Sequence, residues 1–200
     1  MSRSARLPDV TSARPYHHGD LRRAVLDAAV DVITEHGPGG VGLRDLARRV
    51  GVSHAGPVHH FKDKAGLLTA LAAEGFEMLA DRLEETKAAG GDFVEVGTAY
   101  VRFAVEHRAH FEVMFRPDLY HAHDPAVEAA RTRAGAVLAD GVADQPDPEL
   151  ASAAAWSITH GFATLWNTGV LERPGHDPIE LARAVAGFLF RDQGTGQTPA

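Results

Sequence analysis

Cysteine is absent from the 200-residue sequence, and its absence removes several kinds of chemistry at once. Without thiols the chain forms no disulfide bond, no thiolate zinc site and no cysteine nucleophile. This composition fits a reducing compartment, and we expect the protein to be cytoplasmic. Hydrophobic residues make up 44% and charged residues 24% of the chain, so a packed core is expected.

Long apolar runs are also lacking. No stretch approaches the roughly 20 consecutive apolar residues that a membrane helix needs. The opening segment, MSRSARLPDVTSARP, is polar and basic and has no apolar stretch behind it, unlike a secretory signal. We therefore expect residues 1–16 to form a flexible basic arm, and we expect no membrane partner.

Signatures of common catalytic and nucleotide sites are missing as well. The sequence has no G-x-S-x-G or H-E-x-x-H motif, and the glycine-rich segment 37–42 lacks the Lys-Ser/Thr of a phosphate loop. We expect a protein that is not an enzyme, with no catalytic residue, no cofactor and no metal site.

Signals for β-strands are equally scarce, and the fold is predicted to be all-α. No run alternates clearly between apolar and polar residues, and the Asp140-Gly141 pair lies in a helical Ala/Val context. Apolar residues instead recur at helical spacing between segments rich in Gly and Pro. Nine to ten helices are expected, over residues 20–36, 43–50, 54–60, 64–86, 92–107, 111–115, 124–140, 148–168 and 178–191.

The net charge of −7 is distributed unevenly along the chain. Residues 1–64 contain ten Lys/Arg and seven Asp/Glu, a net charge of +3, which leaves −10 for the remaining residues. A basic head on an acidic body is typical of a protein in which only the head contacts a polyanion.

A helix-turn-helix is predicted within the basic head. Two short helices, residues 43–50 and 54–60, flank the segment Gly51-Val52-Ser53, in which Gly51 suits a left-handed turn. Ala47 is small enough to let the two helices cross closely. We expect Ser53 to cap the second helix, and Val52 and Val58 to face the core.

The outer face of the second helix is then predicted to enter the DNA major groove, which admits a single α-helix. The side chains expected at this interface, including phosphate contacts by the cationic residues, are Arg22, Arg23, Arg44, Ser53, His54, Ala55, Gly56, His59, His60, Lys62 and Lys64. A zinc site formed by the histidines of this helix is disfavoured, because none of them has the i, i+4 spacing that places two ligands on one face.

Two segments resemble a known family. The run LDAAVDVITEHGPGGVGLRDLARRVGVSHAGPVHHFKDKAGLLTAL resembles the DNA-binding domain of TetR-family transcriptional regulators. AWSITHGFATLWNTG, with Trp156, His160 and Gly161, resembles the Trp-His-Gly class of C-terminal domain found within that family. Two positions depart from the pattern: Val58 replaces the usual aromatic residue, which commonly reaches a phosphate, and Pro57 lies within the short second helix.

The resemblance implies a domain organisation and partners. Residues 17–78 would form the helix-turn-helix domain, residues 79–192 an effector-binding and dimerisation domain, and residues 193–200 a disordered tail. A homodimer formed through the last two helices would bind a palindromic operator in double-stranded DNA, as a repressor released by a small molecule. Ala153, Ser157 and Gly161 offer a stripe of small residues to such an interface, although ordinary packing within the chain would use the same pattern.

The resemblance also implies an apolar effector pocket. Its predicted wall consists of Phe76, Phe103, His107, Phe111, Met114, Phe115, Trp156, His160 and Phe162, although these residues could equally form core. An apolar or aromatic effector is therefore expected. Two alternatives stay open: an all-α metal-dependent hydrolase that uses His107, His110, His121 and His123, and a protein-interaction module whose helix-turn-helix is only structural.

Overall fold

The computed structural model describes residues 18–171 and 175–190, without the side chains of 18–20 and 188–190. Over these ranges the chain forms nine α-helices, one 3-10 turn at Pro38–Gly40 and no strand, in agreement with the all-α prediction. The predicted arm 1–16 and tail 193–200 lie outside the described residues. The helices are α1 (His18–His36), α2 (Leu43–Arg49), α3 (Ala55–Phe61), α4 (Lys64–Ala88), α5 (Phe93–Glu106), α6 (Arg108–Met114), α7 (Pro125–Gly141), α8 (Pro148–Asn167) and α9 (Pro178–Phe190).

Helices α1, α2 and α3 form a small head, and its turn has the predicted geometry. Gly51 has φ 72°. Its backbone N–H donates to the carbonyl of Arg48, and the N–H of Val52 donates to that of Ala47 at 3.0 Å. This pair of bonds is a Schellman ending, which a left-handed glycine makes possible. Ala47 is only 2% exposed at the crossing of the two helices, as predicted.

Helix α3 differs from the prediction in its start and in its inner face. It begins at Ala55, and the Ser53 side chain makes no capping bond, so the predicted Ser53 cap is wrong. Val58 is 37% exposed, whereas Pro57 and Phe61 are buried, so the prediction that Val58 faces the core is also wrong. Pro57 is the third residue of the helix, where an N–H would have no helical partner, so the ring fills the core without breaking a helical bond.

Helix α4 joins the head to the rest of the molecule. It has 25 residues and is therefore about 38 Å long. Asp63 caps it by accepting a 2.8 Å bond from the N–H of Gly66. Ten of its residues are buried, and eight of them belong to one hydrophobic core that includes residues from α1 to α8. The head and the second half of the molecule are thus packed around the same helix.

The remaining helices form the second half of the molecule, and α5, α6 and α7 pack directly on α4. Helix α7 packs along α4, while α8 and α9 pack against α5. Acidic caps set the starts of four of these helices: Asp92 forms a capping box with Glu95, and Asp124, Asp147 and Asp177 each accept a backbone N–H. A second, smaller core joins α5, α8 and α9 through Val101, Phe162 and Ala182. None of the described helices combines the length and apolar character needed to cross a membrane.

Candidate nucleic-acid interface and effector cavity

The outer face of α3 is polar and accessible. Ser53, His54, Ala55 and His59 are exposed, and His60 is partly exposed. Gly56 faces α1, since a Cβ there would lie 3.1 Å from Leu21. The predicted groove-facing residues therefore share one surface, with Gly56 at its inner edge.

Three of the five cations predicted to contact phosphate are exposed and form no ion pair with a described residue: Arg22, Arg44 and Lys62. The guanidinium of Arg22 lies 5.7 Å from the ring centre of Phe61, which orients it beside α3. Unpaired guanidinium and ammonium groups around a short exposed helix are suited to the phosphates that flank a DNA groove.

The other two predicted phosphate contacts are already engaged within the protein. Arg23 donates to Asp27 at 2.8 Å and to Glu74 of α4 at 2.8 Å. The ammonium group of Lys64 donates to the carbonyl of Gly39 at 3.0 Å, and the side chain is half-buried. Both residues connect parts of the head to α4.

The junction between α3 and α4 is a strained turn. Lys62 has φ 66° and ψ −62°, a conformation that costs a non-glycine residue of order 1–3 kcal/mol. The N–H of Asp63 donates to the carbonyl of Phe61 at 2.8 Å and closes a three-residue γ-turn. Gly66 is needed beside it, because a Cβ there would lie 2.0 Å from the Phe61 carbonyl oxygen. This turn fixes the angle at which α3 leaves α4.

A cavity of about 850 Å³ lies among α4, α5, α7 and α8. This is within the usual size range of small-molecule sites. Its wall is predominantly apolar and includes six aromatic side chains: Phe76, Phe93, Tyr100, Phe115, Tyr120 and Trp156. Trp156 is 45% exposed, so part of its indole surface is open to a ligand.

Four of the nine residues predicted for the effector pocket line this cavity: Phe76, Met114, Phe115 and Trp156. The other five do not. Phe103 is buried against His107, Phe111 is buried between Tyr100 and Phe115, and His160 lies behind the wall. Phe162 belongs to the smaller core.

His160 and Tyr100 form a polar pair within this aromatic cluster. The Tyr100 hydroxyl lies 2.9 Å from Nδ1 of His160, and the imidazole packs 4.5 Å from the ring centre of Phe115 and 5.1 Å from that of Trp156. Burial raises the pKa of Tyr100 and lowers the pKa of His160, so both groups are held neutral. The phenol can then donate to Nδ1 and fix the orientation of the imidazole behind the cavity wall.

Two charged residues, Arg131 of α7 and Glu149 of α8, line the cavity. Neither forms an ion pair with a described residue, although the six other described arginines between residues 79 and 190 are all paired. Burial raises the pKa of Tyr120, and the nearby positive charge of Arg131 opposes part of this rise. Arg131 and Tyr120 both belong to the cavity wall.

A series of hydrogen bonds through Glu74 connects the head to α6. One carboxylate oxygen lies 3.2 Å from Nε2 of His110, and the other accepts from Arg23 at 2.8 Å. These contacts lower the pKa of Glu74 to about 2. His110 is buried, and its Nδ1 has no hydrogen-bond partner among the described residues.

The histidines of the hydrolase alternative are not brought together. His107 and His110 have ring centres 6.2 Å apart, but His121 uses its backbone N–H to bind Thr69 and His123 contacts Glu128. Among the described residues there is no group of three or more His, Cys, Asp or Glu that could hold a metal ion. The hydrolase alternative therefore has no support.

Sequence reasoning missed the contribution of α7 and of two tyrosines to the cavity. Arg131, Ala134, Gly135 and Leu138 line it from α7, and Tyr100 and Tyr120 line it from outside that helix. Arg131 lies in the Ala-rich stretch EAARTRAGAV, and an arginine in such a stretch is expected to be an ordinary solvent-exposed side chain. Nothing in the local pattern distinguishes it from Arg133, which pairs with Asp81 and Glu84.

The family comparisons match both halves of the chain. Residues 25–71 match the family described as "Bacterial regulatory proteins, tetR family", and residues 93–189 match "Tetracyclin repressor-like, C-terminal domain". The transcriptional regulator YobS of Bacillus subtilis, of the HTH type and itself uncharacterized, is 24% identical over 86% of this chain and 92% of its own length.

Solved structures share the fold over most of the chain. A protein of unknown function from Rhodococcus sp. RHA1 superposes with a TM-score of 0.75 and 32% identity, covering 89% of this chain and 97% of its own. The TetR-family regulator PfmR from Thermus thermophilus superposes with a TM-score of 0.64 and 24% identity, covering 86% and 99%. At that identity the second comparison speaks for the fold alone.

Proposed function

Because this chain belongs to the TetR family of DNA-binding transcriptional regulators, we propose that it is a homodimeric repressor released from a palindromic operator by a small apolar or aromatic effector. Residues 17–78, which comprise the head and the first part of α4, bind DNA, and residues 79–192 bind the effector and the second subunit. The protein acts in the cytoplasm, without catalysis.

The observation that carries the DNA-binding assignment is the grouping of free cations around α3. Arg22, Arg44 and Lys62 are exposed and unpaired among the described residues, on the same small head as the open face of α3. In a twofold-symmetric dimer two such helices enter successive major grooves, with half-sites about 34–36 Å apart. The arm with Arg3, Arg6 and Arg14 is proposed to reach the adjacent minor groove.

The exposed face of α8 supports the dimer. Ala154, Ser157 and Leu165 are exposed, with Leu165 at 43%, and a Cβ at Gly161 would meet no atom within 4 Å. Small residues along one face let a second helix approach closely. The exposed leucine leaves apolar surface in contact with water unless a second subunit covers it. Helices α8 and α9 of two subunits then form the interface.

The position of α4 supports the route of the signal. Its first turns pack in the head, and Phe76, Leu79 and Leu83 further along it line the cavity. An effector that fills the cavity shifts α4 only if it binds the DNA-incompetent arrangement more tightly than the DNA-binding one. A change in the tilt of α4 alters the spacing of the two α3 helices in the dimer.

Selection of duplexes from a random DNA pool by the purified full chain tests the proposal. Enrichment of a palindrome is expected at near-physiological salt, and Arg44→Ala is expected to weaken binding to it. Arg102→Ala is the matched control, because Arg102 is exposed on α5, 3.9 Å from Glu106 and outside the head. A folded wild-type protein that enriches no sequence contradicts the proposal.

The dimer has its own test. Leu165→Glu places a charge on the exposed face of α8 and is expected to yield a folded monomer in analytical ultracentrifugation. Ala136→Glu introduces the same charge on the exposed side of α7 and is expected to leave the dimer intact. A wild-type protein that sediments as a monomer contradicts the dimer.

A further inference from the structure

The wall of the cavity is mainly apolar, but it contains one cationic side chain, Arg131, that forms no ion pair with a described residue. The six other described arginines between residues 79 and 190 have carboxylate partners at 2.5–3.9 Å. Arg131 has none among the described residues, and it is the cationic side chain of the cavity wall. Its five N–H donors are left for solvent or for a ligand.

The surroundings of Arg131 are suited to hold a carboxylate. Tyr120 lines the same cavity, and its hydroxyl already donates to the carbonyl of Met114 at 2.8 Å. The phenol therefore does not compete for the anion, and its ring adds apolar surface to the wall. A guanidinium binds a carboxylate through two parallel N–H bonds, and such charge-assisted bonds are about twice as strong as neutral ones.

The acidic residue of the wall lies at a different part of the cavity. The wall extends along α7 from Arg131 to Ala139, about 12 Å at 1.5 Å per residue. Glu149 lies in the first turn of α8, which follows the end of α7 after a short loop. The wall near Arg131 thus favours an anion, and the wall near Glu149 disfavours one.

We propose that the effector of this protein is an amphipathic carboxylate, with its anionic head on Arg131 and its apolar body between α4, α7 and α8. This inference rests on the proposed function, in which the cavity is the effector site. The apolar wall selects the body of the ligand, and Arg131 selects its charge.

Calorimetric titration of the full chain with three probes that share one tail tests the charge selection. The probes are dodecanoate, dodecanol and dodecylammonium, each below its aggregation concentration. Wild type is expected to bind dodecanoate most tightly and dodecylammonium least tightly. Arg131→Gln is expected to weaken dodecanoate binding about tenfold, since the pair lies at an exposed rim, and to leave dodecanol binding unchanged.

Two control variants separate the arginine from the overall charge of the protein. Arg102→Gln removes the same charge from α5 outside the cavity and is expected to leave the affinity for dodecanoate unchanged. Glu149→Gln is expected to lower the affinity for dodecylammonium without weakening that for dodecanoate.

Equal binding of dodecanoate and dodecanol, or no loss in Arg131→Gln, overturns the carboxylate assignment while the cavity remains an apolar site. Preferential binding of dodecylammonium also overturns it and moves the charge selection to Glu149. The proposed function fails separately: if wild type selects no palindromic DNA, the titrations still decide whether the cavity prefers an anion.

Discussion

Nε2 of His110 lies 3.2 Å from the Glu74 carboxylate, so a buried imidazole of α6 is tied to α4 at the residue that also holds Arg23 of α1. Three helices from both halves of the molecule therefore meet at one carboxylate. Arg23 had been expected on the DNA, but its guanidinium already binds two acidic side chains. The contact connects the head to the second half of the molecule next to the cavity, since Met114 of α6 lines the cavity.

Replacing Glu74 by Gln is expected to destabilise the protein by of order 2 kcal/mol at neutral pH, because His110 and Arg23 lose their charged partner. The pKa of Glu74 is lowered to about 2 in the folded state from an ordinary value of 4.5. Its stabilising contribution is therefore complete above pH 4.5 and is lost as the pH falls towards 2.

Urea unfolding of wild type and Glu74→Gln across this range checks the prediction. The difference between the two proteins should shrink as the pH falls from 4.5. Glu77→Gln is the control, because Glu77 is exposed on the same helix and has no partner among the described residues. Equal stability of Glu74→Gln and wild type at neutral pH contradicts the stabilising role of the contact.

The free cations of the head are expected to set the salt dependence of DNA binding. Removal of Arg44 or Lys62 should reduce the slope of log affinity against log salt by about 1, which is the loss of one phosphate contact. Arg23→Ala should lower the free energy of unfolding and leave this slope nearly unchanged, because the Arg23 side chain is engaged with Asp27 and Glu74. Fluorescence anisotropy on the selected operator at several salt concentrations measures these slopes, and an unchanged slope in Arg44→Ala argues against a phosphate contact.

Gly66→Ala is expected to destabilise the head by more than about 2 kcal/mol, because the new Cβ would lie 2.0 Å from the Phe61 carbonyl oxygen. A helical glycine without such a neighbour provides the control. Gly135 of α7 has no atom within 4 Å of its Cβ position, so Gly135→Ala should stabilise the helix by roughly 0.5–1 kcal/mol. Thermal unfolding of both variants gives the comparison, and opposite signs are the predicted result.

Two partly buried histidines, His107 and His160, are expected to make the protein less stable in mild acid. Burial lowers the pKa of His160, and burial together with the charges of His110 and Arg82 lowers that of His107. The unfolded state then binds protons first as the pH falls through 6.5, so stability decreases below this value, by up to about 1.4 kcal/mol per pH unit for one proton.

His160→Asn is expected to flatten the acid-side decrease in stability, because the amide does not titrate there. His123→Asn is the matched control, since the side chain of His123 is 95% exposed. Chemical unfolding measured on both sides of pH 6.5 separates the two variants. If stability depends on pH in His160→Asn as it does in wild type, the pKa of His160 is not lowered in the folded protein and the prediction is wrong.

The sequence by itself determined the helical plan of the molecule. Apolar spacing, the breaks rich in Gly and Pro, and the glycine of the 51–53 turn act within a few residues of one another, so they can be recognised without a fold. The open side of α3 followed from the same local rules. They failed at Val58, because local spacing does not tell which side of so short a helix the core covers.

Tertiary structure alone decided which side chains share a site. The cavity is lined by helices far apart in the chain, so Arg131 joins Tyr120 and Trp156 through packing and not through spacing. Packing also assigned Arg23 to Glu74 and left Arg44 free, although both arginines look alike in the sequence. A cation's role depends on the carboxylates near it in space, and that distance is fixed only when the helices pack.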